Sequence, residues 1–154
     1  MTTRGIQTLR GRGVEHEVLV YRYVKMGAQL AADTVGVPHD EVLKSLVFRA
    51  DDGSFLFVLI GSDAVVSTRR VGRVTGHKHV EAASTRDAER VTGYRVGGIS
   101  PLGSRRSLPV LLDRETAAHD QLVLNAGARG TLVRLATQAL IDVTEATVAD
   151  LRTG

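Results

Sequence analysis

Apolar residues recur along the chain with two spacings, and together they predict strands that alternate with short helices. Residues 42–49 and 55–60 are apolar runs, and the turn between them contains Asp52-Gly53. An Asp-Gly pair between two such runs is a strong hairpin signal, so we expect these strands to pair at the centre of an antiparallel sheet. Further strands are predicted at 14–21, 79–83, 108–112, 121–124 and 131–135.

Helices are predicted where apolar residues recur three or four positions apart, often after a capping residue. Thr2 or Thr3 can cap the first helix and Ser67 or Thr68 a later one, Ser84 begins a capping box, and Thr137 is a further candidate cap. The predicted helices span 3–12, 26–35, 67–76 and 84–93, with a helical turn at 114–119 and a last helix from 137 onward. Residues 125–130 are predicted to form a loop. The pattern predicts an α+β fold, in which a mostly antiparallel mixed sheet is surrounded by short helices.

The composition fits a single domain over residues 1–154 and excludes several kinds of chemistry. The chain is 43% hydrophobic and has no cysteine, which rules out disulfides, thiolate nucleophiles and cysteine–metal sites. No stretch approaches the ~18 to 20 apolar residues that span a bilayer, and no apolar segment follows the first residues. We therefore expect a cytoplasmic protein without a membrane partner. The net charge of +3 is compatible with a polyanionic partner, but so small a charge attracts such a partner only weakly.

The segment from Thr92 to Gly103 is unusually rich in glycine, with four glycines and one proline in twelve residues. Glycine lets the backbone approach a ligand closely, and successive exposed amides can bind a carbonyl or phosphate oxygen. A long structural turn explains the same composition, and from composition alone it is the commoner case. The segment matches neither the mononucleotide P-loop nor the dinucleotide fingerprint.

Lys44 interrupts the apolar run of the first hairpin strand and shares a strand face with Val42, Leu46 and Phe48. It is one of only three lysines among 20 basic residues. A lysine in this position projects from the solvent face of the sheet, which is the commoner case, or points into a cleft where its ammonium can hold a substrate oxygen.

Other candidate residues carry weaker signals. His77 and His79 form an H-x-H pair, but no third metal ligand lies at a recognisable spacing. Ser100 lacks the context of a nucleophile elbow and is better interpreted as a substrate contact. Arg105 and Arg106 directly follow the glycine segment, where they can touch phosphates of a docked nucleic acid.

The strand 42–47 around Lys44 and the segment 92–103 resemble the YbaK and prolyl-tRNA synthetase-associated editing domains, and the resemblance covers nearly the whole chain. It implies a mixed sheet surrounded by helices and hydrolysis of the ester between a wrongly attached amino acid and the tRNA 3′ end. It implies no metal and no cofactor. Lys44 matches the functional lysine of that family. Gly97, Gly98, Ile99, Ser100 and Pro101 match the loop that holds the terminal adenosine and the scissile carbonyl.

The resemblance also assigns a substrate pocket. Tyr21 matches a pocket tyrosine, and Met26 occupies the position of an apolar pocket residue that is often aromatic. Where relatives carry Ser-Gly-Gly-Lys-Arg-Gly this chain has residues 125–130, and we expect Asn125 and Gly127 to line or support the amino-acid pocket. Tyr23 stands where a histidine is common, so the amino acid removed stays open among cysteine, alanine, serine and threonine.

Three functions follow as hypotheses. The leading one is a trans-acting deacylase of mischarged tRNA, of the Cys-tRNA(Pro) or Ala-tRNA(Pro) type, with tRNA as partner and prolyl-tRNA synthetase as a further candidate partner. The second is a non-catalytic module that binds tRNA or a synthetase. The third is a hydrolase of another small activated acyl compound. Release of amino acid from charged tRNA separates the first from the second.

Overall fold

The computed structural model describes residues 2–24 and 28–154. The described helices are α1 (Arg4–Gly11), α2 (Ala28–Val35), α3 (Thr68–Thr75), α4 (Thr85–Thr92) and α5 (Thr137–Thr144). The strands are β1 (Glu17–Val20), β2 (Leu43–Ala50), β3 (Phe55–Gly61), β4 (Val80–Ala82), β5 (Val110–Asp113), β6 (Gln121–Ala128), β7 (Thr131–Ala136) and β8 (Thr147–Ala149). Short 3₁₀ turns lie at His39–Glu41 and Thr116–Ala118.

The strands form two sheets rather than the single mixed sheet expected from the pattern. A five-stranded sheet has the order β4-β2-β3-β5-β8, and a three-stranded sheet has the order β1-β7-β6. Most neighbours are antiparallel, while β5 is parallel to both β3 and β8. One parallel bridge, between Val42 and Val123, joins β6 to the chain just before β2. The α+β class and the mostly antiparallel pairing are confirmed.

The predicted hairpin is the centre of the larger sheet. β2 and β3 pair from Leu43 with Gly61 to Arg49 with Phe55. Gly53 has φ +85° in the turn, a value that glycine adopts without steric cost. All seven residues of β3 are buried, as expected for a strand covered on both faces.

Side chains of β3 alternate between two apolar clusters. Phe57 and Leu59 lie in the main core, which also takes residues from α1, α4, α5 and the three-stranded sheet. Leu56 and Val58 lie in a second cluster on the opposite face, together with Val71 of α3. A third cluster joins α2 to β6 and β7. The main core is therefore the common support of both sheets.

Three predicted helix caps are present. Thr3, Ser67 and Ser84 each accept a hydrogen bond from the backbone amide three residues later. Gly76 and Gly93 end α3 and α4 in the left-handed conformation, as the sequence pattern predicts.

Several element boundaries differ from the prediction, and one strand is additional. The first strand starts at Glu17 rather than at residue 14. Ala136, not Thr137, is the N-cap of α5, because the Thr137 hydroxyl donates instead to the carbonyl oxygen of His119. Strand β6 continues to Ala128 through residues predicted as a loop, and a bulge between Asn125 and Ala128 makes this possible. The short strand β8 was not predicted.

No helix in residues 2–24 or 28–154 is long and apolar enough to cross a membrane.

Candidate active site

A cavity of about 380 Å³ opens along one edge of β2. β2 pairs with β3 over its length, but with β4 only from Phe48 to Ala50. Within the described chain, no strand pairs with this edge between the Val42 bridge and Val47, whose carbonyl oxygen accepts from the Ala83 amide at 2.9 Å. The lining is mainly apolar, and its polar members are Lys44, Ser45, Thr85 and Asn125. Small-molecule sites commonly occupy about 300–1,000 Å³, so this volume suits a small group.

Lys44 and Asn125 are brought together by strand register. The parallel bridge joins Val42 to Val123, and each of the two site residues lies two positions further along its strand. Because side chains repeat with a period of two, Lys44 and Asn125 project on the same side as the bridged valines. The strands do not continue as a ladder beyond the bridge, and the cavity opens where they separate.

Lys44 is half-buried, and its ammonium is held by neighbouring groups of the protein. It donates to the carbonyl oxygen of Ala64, and the carboxylate of Asp63 lies near enough to interact with it. Burial lowers the pKa of Lys44, and the negative charge of Asp63 opposes part of that change. An ammonium has three N–H donors, so its bond to Ala64 leaves donors for a substrate oxygen.

The glycine segment forms the opposite wall through Val96, Gly97 and Ile99. Two hydrogen bonds fix the conformation of the short turn at residues 95–98. The amide of Gly98 donates to the carbonyl oxygen of Arg95 at 2.9 Å, and the amide of Val96 donates to Glu89 Oε2 at 2.8 Å.

The β6–β7 hairpin clamps this turn from the outside. Arg129 Nε donates to the carbonyl oxygen of Val96 at 2.8 Å. A methyl group placed on Gly98 would lie 2.9 Å from the backbone of Ala128 and Arg129, so only glycine allows this approach. The segment is therefore a rigid wall, built by contact with the bulged end of β6.

Gly97 is covered by Tyr23. Gly97 has φ +95°, and a methyl group added to it would lie 2.6 Å from the Tyr23 hydroxyl oxygen. The Arg129 guanidinium lies over the Tyr23 ring, 4.9 Å from its centroid. Tyr23, noted in the sequence only as a departure, thus supports the loop directly.

The remaining loop residues lie behind the wall. Ser100 is fully buried, and its Oγ accepts a hydrogen bond from the amide of Leu102 at 3.1 Å. The Tyr94 hydroxyl donates to the carbonyl oxygen of Leu102 at 2.6 Å. Pro101 borders a separate, smaller cavity. Gly98, Ser100 and Pro101 are not among the residues that line the main cavity.

Other predicted site residues surround the cavity without lining it. Gly127, with φ +104°, packs against the Tyr94 ring, and Tyr21 is half-buried, with its amide bonded to the carbonyl oxygen of Gly130. Arg105 and Arg106 are exposed, and their amides donate to the last turn of α4. Met26 lies outside the described residues. The structure thus brings together Lys44, Gly97, Ile99 and Asn125.

Two buried polar atoms in the cavity wall have no hydrogen-bond partner in the described chain, Ser45 Oγ and Asn125 Oδ1. Buried polar groups are nearly always paired, so an unpaired one calls for an explanation. Ser45 was missed in the sequence because it lies on the strand face opposite Lys44, among core residues. The signal available there was a hydroxyl inside an otherwise apolar run.

The H-x-H pair does not form one site. His77 Nδ1 lies 3.0 Å from Asp51, and His79 lies 3.8 Å from Glu81. Asp51, Asp52 and His77 form the one three-membered group of potential metal ligands in the described residues. Such exposed groups are common without an ion, and these residues do not line the cavity.

Comparison with known proteins gives consistent findings. The family model described as "Aminoacyl-tRNA editing domain" matches residues 25–143, which include Lys44, the glycine segment and Asn125. A proposed Cys-tRNA(Pro)/Cys-tRNA(Cys) deacylase, EbsC of Enterococcus faecalis, is 27% identical over 128 residues, covering 83% of this chain and 78% of that protein.

A proline–tRNA ligase of Caldicellulosiruptor saccharolyticus is 30% identical over 110 residues, covering 71% of this chain but only 18% of the ligase. Among solved structures, a proposed trans-editing enzyme for prolyl-tRNA synthetase superimposes with a TM-score of 0.89 at 25% identity. The match covers 100% of this chain and 99% of that one.

Proposed function

The chain belongs to the aminoacyl-tRNA editing domain family, and on that premise we propose that it removes wrongly attached amino acids from tRNA by hydrolysing the aminoacyl ester. The related proteins named as deacylase and trans-editing enzyme support this proposal. The finer assignment is a trans-acting enzyme for tRNA of the Cys-tRNA(Pro) or Ala-tRNA(Pro) type. Its site of action would be the cytoplasm, with tRNA and prolyl-tRNA synthetase as candidate partners.

One observation carries the proposal: Lys44, Gly97 and Ile99 border the same small cavity. An aminoacyl ester is already activated, so orientation and stabilisation of the developing oxyanion supply much of the needed catalysis. The amides of Val96 and Gly98 donate within the protein, which leaves those of Gly97 and Ile99 as the candidate oxyanion donors in the described loop.

The reaction needs no protein nucleophile. Water adds to the ester carbonyl, the bond between that carbon and the ribose oxygen breaks, and the ribose oxygen takes a proton. Free amino acid and uncharged tRNA leave. In this scheme the Lys44 ammonium and the loop amides hold the carbonyl oxygen as its negative charge develops. Attack by the substrate's own side chain would use the same oxyanion contacts.

The test is release of amino acid from tRNA charged with cysteine, alanine, serine or threonine. We expect at least one fast substrate, and we expect Lys44→Ala to slow its hydrolysis at least 100-fold, the usual cost of losing one oxyanion donor being about 10²–10³. Lys78→Ala is the matched control, because Lys78 is exposed and does not line the cavity. Equal rates for the wild type and Lys44→Ala would remove Lys44 from the mechanism.

A second candidate is a non-catalytic module that binds tRNA. The exposed Arg105 and Arg106 favour it, because two adjacent arginines beside the loop suit phosphate contacts. This module would leave every ester intact while binding tRNA in a salt-sensitive manner. Replacing both arginines by glutamine should weaken binding and flatten its salt dependence under either function, so turnover decides between the two.

A further inference from the structure

The two unpaired polar atoms of the cavity wall have no part in the oxyanion chemistry. Ser45 Oγ can donate or accept a hydrogen bond, and Asn125 Oδ1 can only accept. Leaving such atoms buried and unpaired costs free energy, because each has lost its bonds to water. A ligand that supplies a hydrogen-bond donor beside them would recover that free energy.

The lining limits which part of an aminoacyl ester can supply the donor. No carboxylate is among the described residues that border the cavity, and the cationic Lys44 is. The α-ammonium of an amino acid would be buried here without a counterion and beside a like charge, which is costly. A neutral donor on a short side chain meets neither penalty. The apolar lining, which includes Leu46, Val47 and Ile99, suits the carbon to which that donor is attached.

We propose that Ser45 and Asn125 select an aminoacyl group whose β-carbon bears a hydroxyl or thiol, and discriminate against alanine. The inference rests on the proposed function and adds the residues that determine its specificity. A hydroxyl that reaches Asn125 Oδ1 donates to it, and one that reaches Ser45 Oγ on the opposite strand face exchanges a hydrogen bond with it, whereas an alanyl methyl leaves both atoms unpaired. Sites that hydrogen-bond a substrate hydroxyl discriminate strongly against analogues that lack it.

The kinetic test compares kcat/KM for seryl-, cysteinyl- and alanyl-tRNA with the same tRNA body. We expect the wild type to favour seryl over alanyl ester at least about tenfold, with cysteinyl between them because a thiol is the weaker donor. Ser45→Ala and Asn125→Leu should each bring the seryl-to-alanyl ratio towards one by slowing the seryl ester. Thr85→Val, which removes an exposed hydroxyl from the same lining, should keep the ratio.

A binding test separates this inference from the hydrolytic function. The probes are 3′-amino-3′-deoxyadenosine carrying a seryl, alanyl or 2-aminobutyryl group through a stable amide, measured by calorimetry. The 2-aminobutyryl group replaces the hydroxyl by a methyl of similar size. We expect the seryl probe to bind at least about tenfold more tightly than the other two, and Ser45→Ala to remove the difference.

Each outcome has a distinct meaning. Preferential binding of the seryl probe without any ester hydrolysis overturns the proposed function and supports the selection. Hydrolysis at similar rates for all three esters, unchanged in ratio by Ser45→Ala, overturns the selection and supports the function. A uniform slowing of all esters in Ser45→Ala also overturns the selection, because the residue would then contact the part that all substrates share.

Discussion

Lys44 is a charged residue that borders the cavity, and its charge is lost as the pH rises through its pKa. Burial lowers its pKa and Asp63 opposes that effect, so its ammonium is lost at lower pH than that of an ordinary lysine. If hydrolysis needs the charged form, kcat/KM should fall on the alkaline side. Asp63→Asn removes the opposing charge, so we expect this alkaline decline to move to lower pH.

The measurement is kcat/KM against pH for the wild type and Asp63→Asn, with the uncatalysed hydroxide-driven hydrolysis subtracted at every pH. Asp142→Asn is the control for loss of one negative charge, because Asp142 is an exposed residue of α5 that does not border the cavity. A decline that stays in place, or that moves to higher pH, would show that Lys44 does not set the alkaline limit.

Some residues of the candidate site could be predicted from the sequence and others could not, for a physical reason. Lys44 and the glycine segment were visible because a charge in an apolar run and a dense group of glycines are unusual. Ser45 was not, because a single hydroxyl in an apolar run is a weak signal: a serine costs little in either a core or a surface strand. Only the strand register and the missing partners of its hydroxyl distinguish it.

Among the elements, α1 supports the site from behind by a close approach to β6. The Thr3 hydroxyl donates to the carbonyl oxygen of Ala126 at 2.5 Å, and a methyl group on Gly5 would overlap that same oxygen. Backbone cannot move aside as a flexible side chain can. We therefore expect Gly5→Ala to destabilise the protein by about 1–3 kcal/mol, the usual range for overpacking. The midpoint of urea unfolding measures this.

Gly11 provides the comparison within the same helix. A methyl group there meets no atom within 4 Å, so Gly11→Ala should be neutral, or stabilising by up to about 1 kcal/mol through helix propensity. Because Ala126 adjoins Asn125, Gly5→Ala should also lower hydrolysis while Gly11→Ala leaves it intact. Equal stability of the two variants would mean that α1 need not approach β6 so closely.

Elements with strong local signals were predicted well, and those set by long-range contacts were not. The hairpin turn and the caps at Thr3, Ser67 and Ser84 depend on neighbouring residues, so the sequence contains the information. The continuation of β6 past Asn125 depends on pairing with β7, and glycines in that stretch favour a loop when considered alone. Strand β8 has only three residues and forms by pairing with β5.

At the scale of the whole molecule, an ion pair between the buried Asp113 and Arg152 joins the last residues of the chain to the five-stranded sheet. No sequence pattern indicated this pair. Asp113 ends β5 and is 1% exposed. It accepts hydrogen bonds from Arg152 Nη2 at 2.8 Å, from the amide of Leu151 at 3.1 Å and from the Thr116 hydroxyl at 3.1 Å. These contacts fasten the segment after β8 to the five-stranded sheet. Leu151 and Arg152 are 38 and 39 residues away from Asp113 in the chain, so the network depends on the completed fold.

This network makes the stability of the fold depend on acid. Burial raises the pKa of Asp113, but hydrogen bonds from Leu151, Arg152 and Thr116 outweigh it, so the native pKa lies below the ordinary value. A carboxyl with a lowered native pKa stabilises the fold above its unfolded pKa, and that stabilisation is lost as the pH falls through the native pKa. Arg152 is partly exposed and also pairs with Glu115 at 3.0 Å, so Asp113→Asn should cost about 1–3 kcal/mol near pH 7, the usual cost of leaving buried hydrogen-bonding groups unpaired.

Unfolding of the wild type and Asp113→Asn in urea should consequently differ most near neutral pH and converge in acid, below the range where ordinary aspartates titrate. Asp150→Asn is the matched control, because Asp150 forms an exposed ion pair with Arg114 at 3.3 Å. Such pairs contribute under about 1 kcal/mol, so this variant should remain close to the wild type at every pH. An Asp113→Asn deficit that is small, or that persists unchanged in acid, would contradict the role assigned to the buried pair. Since Asp113 does not border the cavity, any loss of hydrolysis in this variant should follow the fraction of unfolded protein.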